Sequence, residues 1–224
     1  MSEPRPVAPP PAAPAPPPPA PPAGRSRVTW LVGVLVVVVL AYITLNTVRT
    51  HGPGSRGLQA GSKLPPFAMP LATSSLEGDA NLATRPGEGS LGAKPACQVR
   101  GPAILNSCEL AEQGPVALAF FVTRSKACER QVDALQAVRA RFPRVRFAAV
   151  AVRGKRDDVR RLIRTHRWTL PVGFDHDGAV ANAYAAALCT MVTFAYRGGE
   201  VQGTTIDGVV QGAALERRLK ALER

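Results

Sequence analysis

Residues 115–142 read PVALAFFVTRSKACERQVDALQAVRARF, and the change of period inside this stretch decides the fold. PVALAFFVT (115–123) is a short, nearly continuous apolar run, the pattern of a strand covered on both faces. From residue 127 the spacing changes: Cys128, Val132, Leu135 and Val138 recur at helical intervals and make one apolar stripe. A buried strand therefore feeds a helix through Thr123-Arg124-Ser125-Lys126, with Cys128 close to the helix start.

Downstream the pattern repeats. VRFAAVAV (145–152) reads as a second buried strand. DDVRRLIRTHRW (157–168) reads as a helix with acidic residues in its first turn and Val159, Leu162, Ile163 and His166 on one side. Strand, helix, strand, helix implies a right-handed crossover and parallel strands. LPVGF (170–174) then predicts a short strand and DHDGAVANAYAAAL (175–188) a turn and helix. MVTFAY (191–196) and EVQGTTI (200–206) are two strands at hairpin distance across Arg197-Gly198-Gly199. AALERRLKAL (213–222) closes the chain as an amphipathic helix with Leu215, Leu219 and Leu222 on one face. The expected class is α/β: a βαβ unit followed by ββα, one mixed central sheet with helices on both faces.

The N-terminal third has a different character. Residues 1–24 contain twelve prolines, so many backbone donors are missing and an extended, solvated tail is expected over residues 1–27. VTWLVGVLVVVVLAYITLNTV (28–48) is uncharged, and 21 residues at about 1.5 Å each reach roughly 30 Å, the thickness of a bilayer's hydrocarbon core. ITLNTVRTHG offers no small-x-small cleavage site, so an uncleaved transmembrane anchor is expected rather than a signal peptide. Residues 49–62 read as a flexible tether and residues 63–224 as one well-buried domain.

The chain carries a formal charge of +12, and eleven of the 29 residues from Arg139 to Arg167 are Lys or Arg. No aromatic platform or nucleic-acid motif is interleaved with them, so nucleic acid is not the expected partner. A solvated helix face, attracted to anionic lipid, is the expectation.

Three stretches carry a resemblance to a known family. GSKLPPFAMPL (61–71), AFFVTRSKAC (119–128) and RWTLPVGFDHDGAVANAY (167–184) are similar to the entry hairpin, the strand-to-active-site turn and the pre-hairpin segment of thioredoxin-fold redoxins. The domain resembles the membrane-anchored, extracytoplasmic thiol–disulfide oxidoreductases of that fold, and the related peroxiredoxins. Two positions depart from the family pattern. The attacking cysteine of its Cys-x-x-Cys pair falls on Ser125, whose hydroxyl stays protonated near neutral pH and cannot replace a thiolate. The family's cis-proline falls near Thr190, where a cis bond would cost about 2.5–4 kcal/mol, so a trans peptide is expected.

The resemblance also implies a new partner for Cys128. Cys189 immediately precedes Thr190, and in a thioredoxin fold that loop faces the start of the active-site helix, so Cys128 and Cys189 are expected to pair as a disulfide or redox-active dithiol. Cys97 and Cys108, in ACQVRGPAILNSC, have no zinc-site spacing and read as a local disulfide. Four cysteines permit three connectivities; an even count suits an oxidising compartment, which places the tail in the cytoplasm and the domain outside the cell membrane.

Histidine adds little: His51 lies in the tether, His166 reads as a packed core residue and His176 as part of an exposed polar turn. No cofactor or metal is called for, and neither GxSxG nor a phosphate-binding glycine motif occurs. The expected function is thiol–disulfide exchange with a protein partner through Cys128 and Cys189. A non-catalytic scaffold of the same fold is the alternative. A peroxidase is a second alternative, because Ser125-x-x-Cys128 resembles the peroxidatic motif, although Phe121 stands where those enzymes carry proline.

Overall fold

The alternation hidden inside the apolar run at residue 115 explains how the sheet is covered. Strand β3 (Val116–Phe121) is buried along its whole length. Ala117, Ala119 and Phe121 point into one hydrophobic cluster and Val116, Leu118 and Phe120 into another on the opposite face. The computed structural model in which this is seen describes residues 27–50, 56–82, 94–186 and 189–224. The proline-rich tail, residues 51–55 of the expected tether and the last two residues of the 175–188 helix lie outside the described residues.

The chain divides into two units, Met1–Thr50 and His51–Arg224. The first holds helix α1 (Arg27–Thr50), 24 residues long. Its side chains are described for residues 30–42, where Trp30, Leu35, Val37 and Tyr42 are mostly exposed. Among the described residues no helix is long and apolar enough to cross a membrane.

The second unit is built on a five-stranded mixed sheet, order β5-β4-β3-β6-β7, with β4 (Arg146–Val152), β5 (Val172–Asp175), β6 (Val192–Ala195) and β7 (Val201–Thr205) around β3. The pairs β3/β4 and β4/β5 are parallel; β3/β6 and β6/β7 are antiparallel. Helices α3 (Lys126–Val138) and α4 (Arg156–His166) are the two crossovers of β3-β4-β5. Both crossovers run in the same direction across the sheet, so α3 and α4 pack on one face, joined there by the closing helix α6 (Gly212–Leu222) through Leu215, Leu219 and Leu222. The opposite face is covered by α5 (Ala179–Ala183) and a separate two-stranded antiparallel sheet, β1 (Ala68–Pro70) with β2 (Ile104–Asn106).

Three differences from the sequence reading have physical causes. Residues 97–108, expected to be a disulfide-closed loop, contain β2 and run into helix α2 (Ser107–Gln113), whose N-cap Asn106 accepts from the N–H groups of Cys108 and Glu109. Residues 56–62, expected to belong to the tether, are tied to the domain: Gly57 N donates to Ala185 O, Gly61 N to Val201 O, and Leu58 O accepts from Thr204 Oγ1. The helix expected over 175–188 is short, ending at Ala183, because Tyr184 leaves it to bury its ring between Phe67 and Phe120 and donate its hydroxyl to Pro65 O at 2.9 Å. Gly173 is needed where β1 crosses β5: a Cβ there would collide with the Met69 side chain and stand 2.8 Å from Leu105 Cδ2.

Candidate functional site

Antiparallel pairing of β3 with β6 puts the start of β6 beside the end of β3. Ala119 is in register with Val192, and Phe120 N donates to Met191 O. The residues just before β6, Cys189 and Thr190, therefore flank the turn that leads from β3 into α3. Arg124, at φ 71°, reverses the chain in that turn. Ser125 is the extended N-cap of α3, and Cys128 sits in the first turn of the helix.

There Cys128 and Cys189 form a disulfide, with α-carbons 5.0 Å apart and 61 residues between them in sequence. The two sulfurs are not equivalent. Cys128 is fully buried in the cluster under α3, whereas Cys189 is only partly buried. Ser125 completes the group: its Oγ lies 3.3 Å from Cys189 Sγ and, at a long 3.5 Å, accepts from the Cys128 N–H. With its lone pair towards that N–H, the hydroxyl hydrogen is left to point at the Cys189 sulfur. Ser125, read from sequence only as a lost nucleophile, is thus also a helix cap, a role signalled by a serine standing just before an apolar helical stripe.

Thr190 is buried and sits at φ 61°, in the left-handed region that a β-branched residue rarely adopts, at a cost of about 1–3 kcal/mol. No peptide bond is cis among the described residues. Cys97 and Cys108 form the second disulfide, α-carbons 5.4 Å apart, at the start of α2. No group of three or more His, Cys, Asp or Glu side chains among the described residues is arranged to hold a metal ion.

A polar cluster that sequence reasoning missed braces the site helix. Glu129, next to Cys128, is buried; its carboxylate meets Lys126 Nζ at 3.2 Å and His166 Nε2 at 3.3 Å. One turn further along α3, Asp133 lies 3.0 Å from His166 Nδ1 and accepts from Trp168 Nε1 at 2.7 Å. His166 also stacks on Trp168, centroids 5.0 Å apart. Rather than a histidine packed in an apolar core, His166 is a partly buried bridge between two carboxylates; the signal was the acidic pair Glu129 and Asp133 at i, i+4 opposite His-x-Trp. At the neighbouring strand end, Asp175 is buried and accepts from Val180 N and Ala181 N at the start of α5. Burial pushes its carboxyl above the ordinary value, and the two N–H groups pull back only part of that rise. His176 is exposed, with Nδ1 3.2 Å from Asp79.

No family model and no curated protein sequence matches the chain. Solved structures do match it in shape. A protein from Chlorobium tepidum assigned as a thiol:disulfide interchange protein DsbE is 18% identical, with 74% of this chain and 98% of that one covered and a TM-score of 0.56. The thioredoxin domain of a thiol-disulfide oxidoreductase from Bacteroides vulgatus is 10% identical over 75% of this chain and 99% of its own, TM-score 0.52. The peroxidoxin BcpB of Mycobacterium tuberculosis is 14% identical over 74% and 97%, TM-score 0.51. At these identities the likeness speaks to architecture: the unit from His51 to Arg224 has a thioredoxin-like α/β fold with a mixed sheet.

Proposed function

We propose that the chain is a membrane-tethered, extracytoplasmic thiol–disulfide exchange protein working through Cys128 and Cys189. The observation that carries the reading is the unequal exposure of the two bonded sulfurs, with the Ser125 hydroxyl against the outer one. In the reduced protein, the Cys189 thiolate attacks one sulfur of a partner's disulfide; a mixed disulfide forms and the partner's other sulfur leaves as a thiolate. The Cys128 thiolate then attacks the Cys189 sulfur, closing the Cys128–Cys189 bond and releasing the partner's second thiolate. Two electrons pass from the protein to the partner, whose thiolates take up the two protons the protein's thiols gave up. Run backwards, the same steps oxidise a partner dithiol. Cys128, fully buried, suits resolution better than first attack, and the same burial speaks against a peroxidase using Cys128 as its peroxide-reactive thiol.

Tethering rests on the uncharged run 28–48 and on α1, whose described apolar side chains stand exposed on all sides and need a non-aqueous cover. Two disulfides in the domain agree with an oxidising side of that membrane, which leaves the N-terminal tail in the cytoplasm. The test is turnover of an insulin-type disulfide substrate by the full chain in neutral detergent. Native protein is expected to turn over, and Cys189→Ser and Cys128→Ser each to abolish turnover, with Cys128→Ser trapping the partner on Cys189. An inert native protein would favour the scaffold reading, and activity surviving both substitutions would place the chemistry elsewhere.

A further inference from the structure

The cysteine pair opens at one edge of the sheet, the C-terminal ends of the parallel strands β3, β4 and β5, where charged side chains flank it. Several carboxylates there are turned inward or already engaged, while Asp207, past the end of β7, stays exposed. Glu129 is buried against Lys126 and His166, and Asp175 is buried as the acceptor of two N–H groups. Asp157 and Asp158 pair with Arg160 and Arg161 on their own helix, and Asp177 accepts from Ala179 N. Cations also stand at the surface. Arg124, Arg130, Arg153 and Lys155 are all exposed, and none of them pairs with a carboxylate among the described residues.

Of these, Arg124 and Arg130 flank the start of α3, whereas the Arg153 guanidinium lies against Gly178 and Lys155 beside Glu77 and Asp79. Arg124 and Arg153 end adjacent parallel strands and both take left-handed conformations, φ 71° and 58°. The two turns touch: a Cβ on Gly154 would lie 3.3 Å from Thr123 Oγ1. Arg124 directly precedes Ser125, whose hydroxyl contacts Cys189, and Arg130 lies one turn further along α3. A partner disulfide that reaches Cys189 therefore passes the rim formed by Arg124 and Arg130.

We propose that this rim selects partners whose exchangeable disulfide or dithiol is flanked by acidic residues, the Arg124 and Arg130 side chains meeting those carboxylates beside the Cys189 sulfur. The proposal rests on thiol–disulfide exchange at Cys189 and names its substrate class. Steering by like-signed surface charge raises encounter rates about 10- to 1,000-fold and is lost as salt shortens the screening length to about 3 Å at 1 M.

The experiment uses the reduced full chain in neutral detergent and two synthetic peptides with the same disulfide ring, one flanked by aspartates and the other by lysines. Second-order rates of protein oxidation are read by quenching and mass. At low ionic strength the acid-flanked peptide should react at least about tenfold faster, and the ratio should approach one near 1 M salt. The variants Arg124→Glu and, separately, Arg130→Glu should each lower the ratio, so a folding failure in one leaves the other as a test. Equal rates for the native chain, or ratios unmoved by both variants, would overturn the proposal. Loss of the preference in nanodiscs holding anionic lipid, with its retention in neutral ones, would assign the rim to the membrane surface and likewise overturn it. Failure of both peptides to react would refute exchange at Cys189 itself, a result distinct from equal rates.

Discussion

Replacing Ser125 by alanine separates two jobs that one hydroxyl performs. As the N-cap of α3 it accepts from the Cys128 N–H in either redox state, so the loss of the cap, about 1 kcal/mol, weakens oxidised and reduced protein alike. For a domain of this size that is a fall of about 2–4 °C in Tm. Its contact with Cys189 Sγ at 3.3 Å differs between the states, because once the disulfide is reduced the sulfur can carry a full negative charge. A hydrogen bond to a charged group contributes about 1.5–3 kcal/mol, and the partial exposure of both residues argues for the lower figure. Losing about 1.4 kcal/mol from the thiolate is one tenfold factor shared between two readouts: up to about tenfold slower alkylation of Cys189 to the extent that the thiol predominates, and up to about 30 mV more negative a potential to the extent that the thiolate does. The assay is timed alkylation of the reduced chain together with equilibration in redox buffers, each read by mass, with Ser125→Thr as the conservative control that restores both values. Unchanged alkylation and potential beside a lowered Tm would show Ser125 to be a cap only, and the assignment of Cys189 as the attacking sulfur would lose its chief support.

Further expectations concern the frame around the site. Gly173→Ala drives a methyl group into Met69 and Leu105 under the β1–β2 sheet and should cost about 1–3 kcal/mol in urea unfolding, partly restored by Met69→Ala. Asp133→Ala leaves the indole N–H of the buried Trp168 without its 2.7 Å acceptor and should lower stability by about 1–3 kcal/mol in urea unfolding, with a shift in Trp168 fluorescence. Asp175 is raised by burial, so its contribution is fully present below the ordinary aspartate value and is lost as pH rises through the raised one. The stability advantage of the native chain over Asp175→Asn should therefore shrink as pH climbs from about 3 to 7; a constant or widening gap in urea midpoints would contradict this sign.

The parts of the fold that were legible in the sequence are those whose apolar period runs long enough to be counted. The β3 run, the Cys128-Val132-Leu135-Val138 stripe and the Leu215-Leu219-Leu222 stripe each persist for a full strand or several turns, and each is an element packed on the sheet. Three-residue β2 and seven-residue α2 are too short to display a period, and α2 is announced only by its cap Asn106. The alanine-rich segment after Ala179 favours helix on propensity, but burial of Tyr184 between two phenylalanines outweighs it. In the site, single residues could be read but their contacts could not. The Ser125 hydroxyl meets Cys189 across 64 residues, and Glu129 and Asp133 meet His166 across a helix–helix contact, so both depend on the β3/β6 pairing and the α3/α4 packing rather than on local sequence.

The most direct test of the account is the reduction potential of the Cys128–Cys189 pair in the full chain, measured by equilibration in graded dithiol–disulfide buffers, acid quenching and mass analysis of the alkylated protein. Working exchange proteins lie between about −270 and −120 mV, and the pair is expected within that range. A value below about −300 mV, with the pair still oxidised where exchange proteins are reduced, would mark it as a structural cross-link and contradict the proposed function.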